Sequence, residues 1–187
     1  MPARFILYFA ICALIVPSLS EAIDISEPKV LVSEKTIIVS ATLNLGEKEL
    51  SAIKNGIDKE FIFHVDLFRV WRAWPDEFVL GKVITRTLKC DPIKKEYILT
   101  TFDGTTLIEK RFQSCEPLSA WASSISELKL TNVAELEPDD YFVRVSVESR
   151  LRRLPPVIGY LLFFVKQVEF SIFRDSQVFS IGKGNKK

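Results

Sequence analysis

Histidine is almost missing from this chain of 187 residues, with His64 standing alone. A histidine-based metal cluster therefore cannot form, and any metal site would have to be carried by carboxylates. Glycine is sparse, with 7 in the chain, and the sequence holds no Gly-x-Ser-x-Gly elbow. The C-terminal GKGNKK has neither the spacing nor the strand-to-helix setting of a phosphate-binding loop. Charge of one sign is also lacking: 25 Lys and Arg face 24 Asp and Glu, a net of +1. That balance excludes the strongly basic face that nucleic acid demands. No internal repeat, low-complexity tract or linker divides the chain. The acidic pairs Asp76-Glu77 and Asp139-Asp140 read as solvated residues where a turn meets a strand. With these features missing, no catalytic residue, metal ligand or cofactor site is assigned, and the chain is expected not to be an enzyme.

What is present begins with a leader-like N-terminus. The chain opens MPAR, continues FILYFAICALIVPSL and then reads SEA. A short basic start, an apolar stretch and small residues at Ser20 and Ala22 have the layout of a cleaved secretory signal. The apolar run falls short of the ~20 residues that span a bilayer, and Pro17 interrupts it. Cleavage after Ala22 is expected, leaving residues 23–187 as a single β-rich domain in the periplasm or outside the cell. The alternative is an uncleaved segment anchoring the protein in the inner membrane. Removing Arg4 and Glu21 takes one charge of each sign, so the mature balance stays at +1. With 14 Phe, the remainder has the composition of a packed globular domain.

Alternation of apolar residues dominates the mature chain. Ile37, Val39, Ala41, Leu43 and Leu45 share one strand face. EKELSAIKNG is expected to form a short helix ended by Gly56. From Phe61 to Phe68 both faces carry apolar side chains, as in a central strand covered in part on each side. Glu77–Cys90, Lys95–Phe102 and Thr105–Phe112 read as a meander, joined by Asp91-Pro92 and by Asp103-Gly104, a strong hairpin signal. PLSAWASSISEL, opened by Pro117, repeats Leu118, Trp121, Ile125 and Leu128 at helical spacing. Further strands are expected over Asp140–Leu151, Gln167–Phe173 and Gln177–Ile181, with a loose tail over 182–187. The fold class is mainly β, at the margin of α+β: an antiparallel two-sheet sandwich with two or three short helices.

Cys90 and Cys115 are the cysteines of the mature chain, and an oxidising compartment favours bridging them. In a flat meander their strands would lie two spacings apart, about 9.5 Å. A bridge needs a Cα separation of about 4.4–6.8 Å, so the chain must bend back through Gln113-Ser114. Buried free thiols are the alternative.

The stretch LFRVWRAWPDE, Leu67 to Glu77, sets Arg69, Trp71, Arg72 and Trp74 at the end of a buried strand. Extended geometry would send Arg69 and Trp71 to one face, and Val70, Arg72 and Trp74 to the other. The first reading is structural: each ring caps the core at the sheet edge with an arginine stacked on it. The second is an aromatic–basic platform for an anionic or sugar-bearing ligand. His64 and Asp66 share a strand face, and a hydrolase built on them would need a cleft with a serine within hydrogen-bond reach. Pro155 to Val165, PPVIGYLLFFV, is the most apolar stretch of the mature chain and leaves no polar stripe on a helix. It must be enclosed as core, docked on a partner or dipped into a membrane. Arg150, Arg152 and Arg153 precede it, and their charge suits anionic head groups. Arg152, Arg153, Leu161, Leu162, Phe163 and Phe164 are therefore candidate interaction residues.

DLFRVWRAWPDEFV and YFVRVSVESRLRRLPPVIGYLLFF together resemble an uncharacterised family of exported bacterial proteins. The likeness runs from about Ile23 to Ile181. Phe170, Phe173 and Phe179 stand where that family tends to carry tryptophans. The resemblance implies no activity or catalytic residue. It does imply association with a membrane histidine kinase of the nitrogen-regulation type. The leading expectation is a non-enzymatic exported module that binds a partner protein, such as that kinase's sensor region. The alternative is a small-ligand or envelope-glycan binder using the aromatic–basic platform.

Overall fold

The period-2 pattern of the strands separates two faces, and the inward faces meet as one core. The computed structural model describes residues 23–91, 93–151 and 168–182. In chain order the strands are β1 (Asp24–Ile25), β2 (Lys29–Val32), β3 (Thr36–Asn44), β4 (Lys59–Arg69), β5 (Glu77–Asp91), β6 (Glu96–Phe102), β7 (Leu107–Phe112), β8 (Ser124–Asn132), β9 (Asp140–Leu151), β10 (Val168–Asp175) and β11 (Phe179–Ser180). β1 and β2 pair with β3, as does β8, making a four-stranded sheet. The larger sheet runs β10-β9-β4-β5-β6-β7, with β11 also on β9, and every pairing is antiparallel. This is the expected mainly-β, two-sheet architecture.

Ile37, Val39, Ala41 and Leu43 of β3 are buried, and they join Phe61, Phe63, Val65 and Leu67 of β4 and Val143, Val145 and Val147 of β9 in the core. β4 lies between β5 and β9, which explains its apolar residues on both faces: Ile62 is buried on the opposite side from Phe61 and Phe63.

Two helices close the ends. The first, α1 (Glu47–Lys54), has Glu47 and Glu49 in its first turn and Lys54 in its last, charges that suit the helix dipole. Gly56 follows with φ 83°, the left-handed turn that stops a helix. The second, α2 (Cys115–Ala122), begins two residues before Pro117 and ends well short of the helix read over PLSAWASSISEL. Pro117 is tolerated because first-turn N–H groups have no helical acceptor. Ile125 and Leu128 belong to β8, opposite Ala41 and Val39. Cross-strand pairing with β3 outweighs the helical spacing of the sequence. Arg86, 7% exposed, reaches the end of α2, where its Nη1 donates to the carbonyls of Trp121, Ala122 and Ser124. Burial lowers its pKa to about 10, so the side chain stays charged at neutral pH and serves as an internal helix cap.

Cys90 and Cys115 are joined, with a Cα separation of 6.3 Å. Gln113-Ser114 turns the chain from β7 into α2, which brings Cys115 back over β5 as the spacing argument required. At the far end, buried Lys59 donates to both oxygens of Glu169, at 3.0 and 2.9 Å. Ser149 donates to the same carboxylate at 2.8 Å, pinning β10 to β9 and β4.

Candidate functional site

The larger sheet turns its core side inward, so the even-numbered residues of β4 and β9 form its outer face. Register places them in rows. His64 lies between Val83 and Ser146, Asp66 between Gly81 and Arg144, and Phe68 between Phe78 and Phe142. Asp175 sits opposite Arg144 on β10, and Phe173 opposite Ser146. Arg144 grips Asp175 with two bonds, Nε to Oδ1 at 2.6 Å and Nη2 to Oδ2 at 2.8 Å. Its guanidinium carbon is 4.8 Å from the Phe173 ring centroid, 5.2 Å from Phe68 and 5.7 Å from Phe142. Phe68 stacks on Phe142 at 5.3 Å and meets Phe78 edge-on at 5.8 Å. Asp175 above all, then Asp76 and Asp66, raise the Arg144 pKa beyond its ordinary value.

This is an aromatic surface around a fixed arginine, and it is open. Phe78 is 57% exposed and Phe173 63%, where a strand pair with a solvated outer face usually presents polar side chains. Asp66 lies over Gly81: a Cβ built on Gly81 would come 2.1 Å from Asp66 Oδ1. Burial raises the Asp66 pKa, against the attraction of His64 and Arg144. Ser146 is the cross-strand neighbour of His64, but neither side chain hydrogen-bonds the other among the described residues. The three lie on the outer face of the sheet, and none of them lines the three grooves formed by described residues.

The aromatic–basic stretch continues this surface at one end. β4 stops at Arg69, so the two-face alternation expected for Trp71, Arg72 and Trp74 does not apply. Those residues instead form a loop organised by its acids. The Trp71 N–H donates to Asp76 Oδ1 and its indole Nε1 to Glu77 Oε2, each at 3.2 Å. Arg69 lies over the Trp71 ring at 6.0 Å and pairs with Glu77 at 3.5 Å and Glu137 at 2.8 Å. A hydrogen bond with Tyr141, then Glu137 and Glu77, raises the Arg69 pKa. The stacked arginine of the structural reading is thus present on Trp71. The burial is not: Trp71 is 44% exposed and Trp74 76%.

Arg152, Arg153, Leu161, Leu162, Phe163 and Phe164 lie outside the described residues, as do the leader over 1–22 and the tail from 183. Of the sequence-stretch candidates, Arg69 and Trp71 are brought together and Trp74 stands clear of them. Arg144, Phe68, Phe142 and Phe173 were not singled out from sequence. For Phe142 and Arg144 the signal was YFVRVS, in which Phe and Arg alternate with Val, and for Phe68 it was the face shared with Asp66, opposite buried Leu67. Three grooves lined by described residues hold about 430, 370 and 200 Å³. None of the three has a tryptophan in its wall. No group of three His, Cys, Asp or Glu among the described residues could hold a metal ion.

The chain belongs to the family defined by the domain of unknown function DUF4390, whose sequence profile matches residues 20–177. The resemblance read from the two quoted stretches holds at that level, an uncharacterised family. No curated protein and no solved structure matches the chain.

Proposed function

We propose that this member of the DUF4390 family is a non-enzymatic module that binds a partner protein in the bacterial envelope. The observation that carries the reading is the open aromatic surface of β4, β5, β9 and β10. Phe173 is exposed beside a fixed Arg144, and exposed Phe78 meets Phe68 on the same face. Aromatic and arginine side chains are the types enriched where protein partners meet. None of the three grooves lined by described residues is walled by Phe68, Phe78, Phe142 or Phe173, which suits a protein face better than a small ligand. A glycan or small-ligand reading would call for a concave pocket lined by Trp71 and Trp74. Ser146, His64 and Asp66 share that outer face without a hydrogen bond between serine and histidine among the described residues, which supports a binding role over hydrolysis.

Export by the leader-like segment, with cleavage after Ala22, is part of the proposal. The Cys90–Cys115 bridge supports it, because such bonds persist in oxidising compartments. The sensor region of a membrane histidine kinase is the partner the family resemblance suggests. The test is a photoreactive amino acid at Phe173, irradiated in intact cells. One dominant adduct with an envelope protein, lost when the reactive residue is moved to Leu107 on β7, is the expected result. Absence of an adduct, with correctly exported and folded protein, would overturn the reading.

A further inference from the structure

The Trp71–Glu77 loop is bounded by carboxylates on more than one element. Asp76 and Glu77 come from the loop and the start of β5, and Glu137 approaches from the segment before β9, bound to Arg69. Asp140 lies alongside, its carbonyl accepting from the Val70 N–H at 2.9 Å. Against these acids stand Arg69, already committed to Glu77 and Glu137, Arg72, and Arg144, whose charge Asp76 also meets. Glu77 and Glu137 keep 52% and 75% of their side chains exposed, so the rim is presented to solvent. The chain as a whole carries +1, and the negative end is therefore a local feature.

Beside these acids the protein displays one half of a recognisable contact. Arg69 lies over Trp71 while Glu77 and Glu137 hold its guanidinium. Trp74, 76% exposed, offers a second indole with no cation over it in the described structure. A cation over an aromatic face is attracted by the ring quadrupole, and surrounding carboxylates add Coulomb attraction that is local at physiological salt. An anionic head group or acidic glycan would meet repulsion here instead. Trp121 gives the contrast: Lys110 Nζ sits 3.5 Å from its ring centroid, so its place is filled from within the chain.

We infer that the Trp71–Glu77 end of the surface receives a cationic segment of the partner protein, an arginine or lysine stacking on exposed Trp74, which Asp76 and Glu77 closely follow in the chain. This rests on the proposed partner-binding role and names the chemistry of the partner at that surface. Tetra-arginine and tetra-glutamate peptides, titrated against the folded protein, test it by the indole N–H resonances of the three tryptophans, 71, 74 and 121. Tetra-arginine should shift the Trp74 signal most and Trp71 less, leaving Trp121 in place, and tetra-glutamate should shift none. Glu137→Gln should weaken the tetra-arginine response about two- to fivefold, as loss of one exposed ion pair does, and 0.5 M NaCl should largely remove it.

Equal response to both peptides, no response at Trp74, or a response led by Trp121 overturns the inference. A Trp74 shift on raising protein concentration alone assigns the loop to a second copy, and overturns it too. A Phe173 adduct with an envelope protein, combined with no peptide preference, sinks only the cationic inference. Peptide preference with no adduct in cells instead sinks the partner-binding role at the sheet face.

Discussion

Arg144 and Asp175 are joined by two parallel hydrogen bonds, at 2.6 and 2.8 Å, across the outermost strand pair of the larger sheet. The pair fixes where the guanidinium lies, and the guanidinium in turn sets the positions of Phe68, Phe142 and Phe173 around it. Both side chains are about a third exposed, so solvent screens the pair. Asp175→Asn should therefore lower stability by only about 1 kcal/mol in urea unfolding. The larger effect should fall on the surface, with the Phe173 ring losing its fixed neighbour. An adduct yield from the Phe173 photoprobe that is unchanged in Asp175→Asn would show that Arg144 does not organise the face.

The Cys90–Cys115 bond closes a loop with a sequence separation of 25. In the chain-entropy view such a loop contributes roughly 3–4 kcal/mol by restricting the unfolded chain. The double variant Cys90→Ser, Cys115→Ser should lose about that much in denaturant unfolding. The wild type should fall to the same level when reduced. A loss below about 1 kcal/mol would mean that the packing of α2 on β5 and β6, with the Arg86 cap, already holds the helix in place.

How much of this could be read from residues follows from how long each pattern runs. β4 and β9 span many alternations, so their inward faces were legible, and so was the central placement of β4. The Asp103-Gly104 hairpin was legible too, because Gly104 takes φ 95° and the Asp103 side chain accepts from the Thr105 and Thr106 N–H groups. Of the smaller sheet, β3 was legible and its partners were not. β1 and β2 carry too few residues to show a period. β8 imitates a continuation of α2, because Ile125 and Leu128 keep the helical spacing of Leu118 and Trp121 while the pairing of β8 with β3 is a long-range fact. At the site, Arg69 and Trp71 were legible as a stacked pair. The exposure of Trp74 was not, because strand spacing was carried past Arg69, where the chain leaves the sheet. The Arg144 surface depends on registers between three strands, which no local pattern encodes.

The two loop tryptophans should separate cleanly in stability. Trp74 is 76% exposed, so Trp74→Ala should leave unfolding within about 0.5 kcal/mol of wild type. Trp71 has an indole bond to Glu77 and an arginine over its ring. Its replacement by alanine should cost roughly 1–2 kcal/mol. Equal costs at both positions would contradict the exposure difference.

Asp66 gives a pH signature whose sign is fixed by its direction of shift. Burial raises its folded pKa above the ordinary 3.8. The folded state therefore holds that proton more tightly than the unfolded chain does. Its contribution to stability is most favourable below the unfolded pKa and declines as pH rises through the folded pKa. Asp66→Asn removes this term. The stability of the variant relative to wild type should be higher at pH 7 than at pH 3, measured by urea unfolding at both. An opposite trend would mean that His64 and Arg144 outweigh burial at this carboxylate.

Gly81 and Asp66 face each other across β5 and β4, and their closeness predicts a coupled pair of mutations. Alanine at Gly81 would place its Cβ 2.1 Å from Asp66 Oδ1, with Phe78 Cε2 at 3.3 Å. The carboxylate would have to swing away from its place beside His64 and Arg144, which costs stability. Strand glycine is itself unfavourable by roughly 0.5–1 kcal/mol relative to alanine, so the same substitution carries an intrinsic gain. In the wild-type background the clash should win, and Gly81→Ala should destabilise. In an Asp66→Ala background the carboxylate is gone, and Gly81→Ala should become neutral or stabilising. The coupling energy from the four proteins should be about 1–2 kcal/mol, within the range seen for residues in contact. A coupling near zero would show that Asp66 moves aside freely, and that the glycine is kept for some other reason than room for that carboxylate.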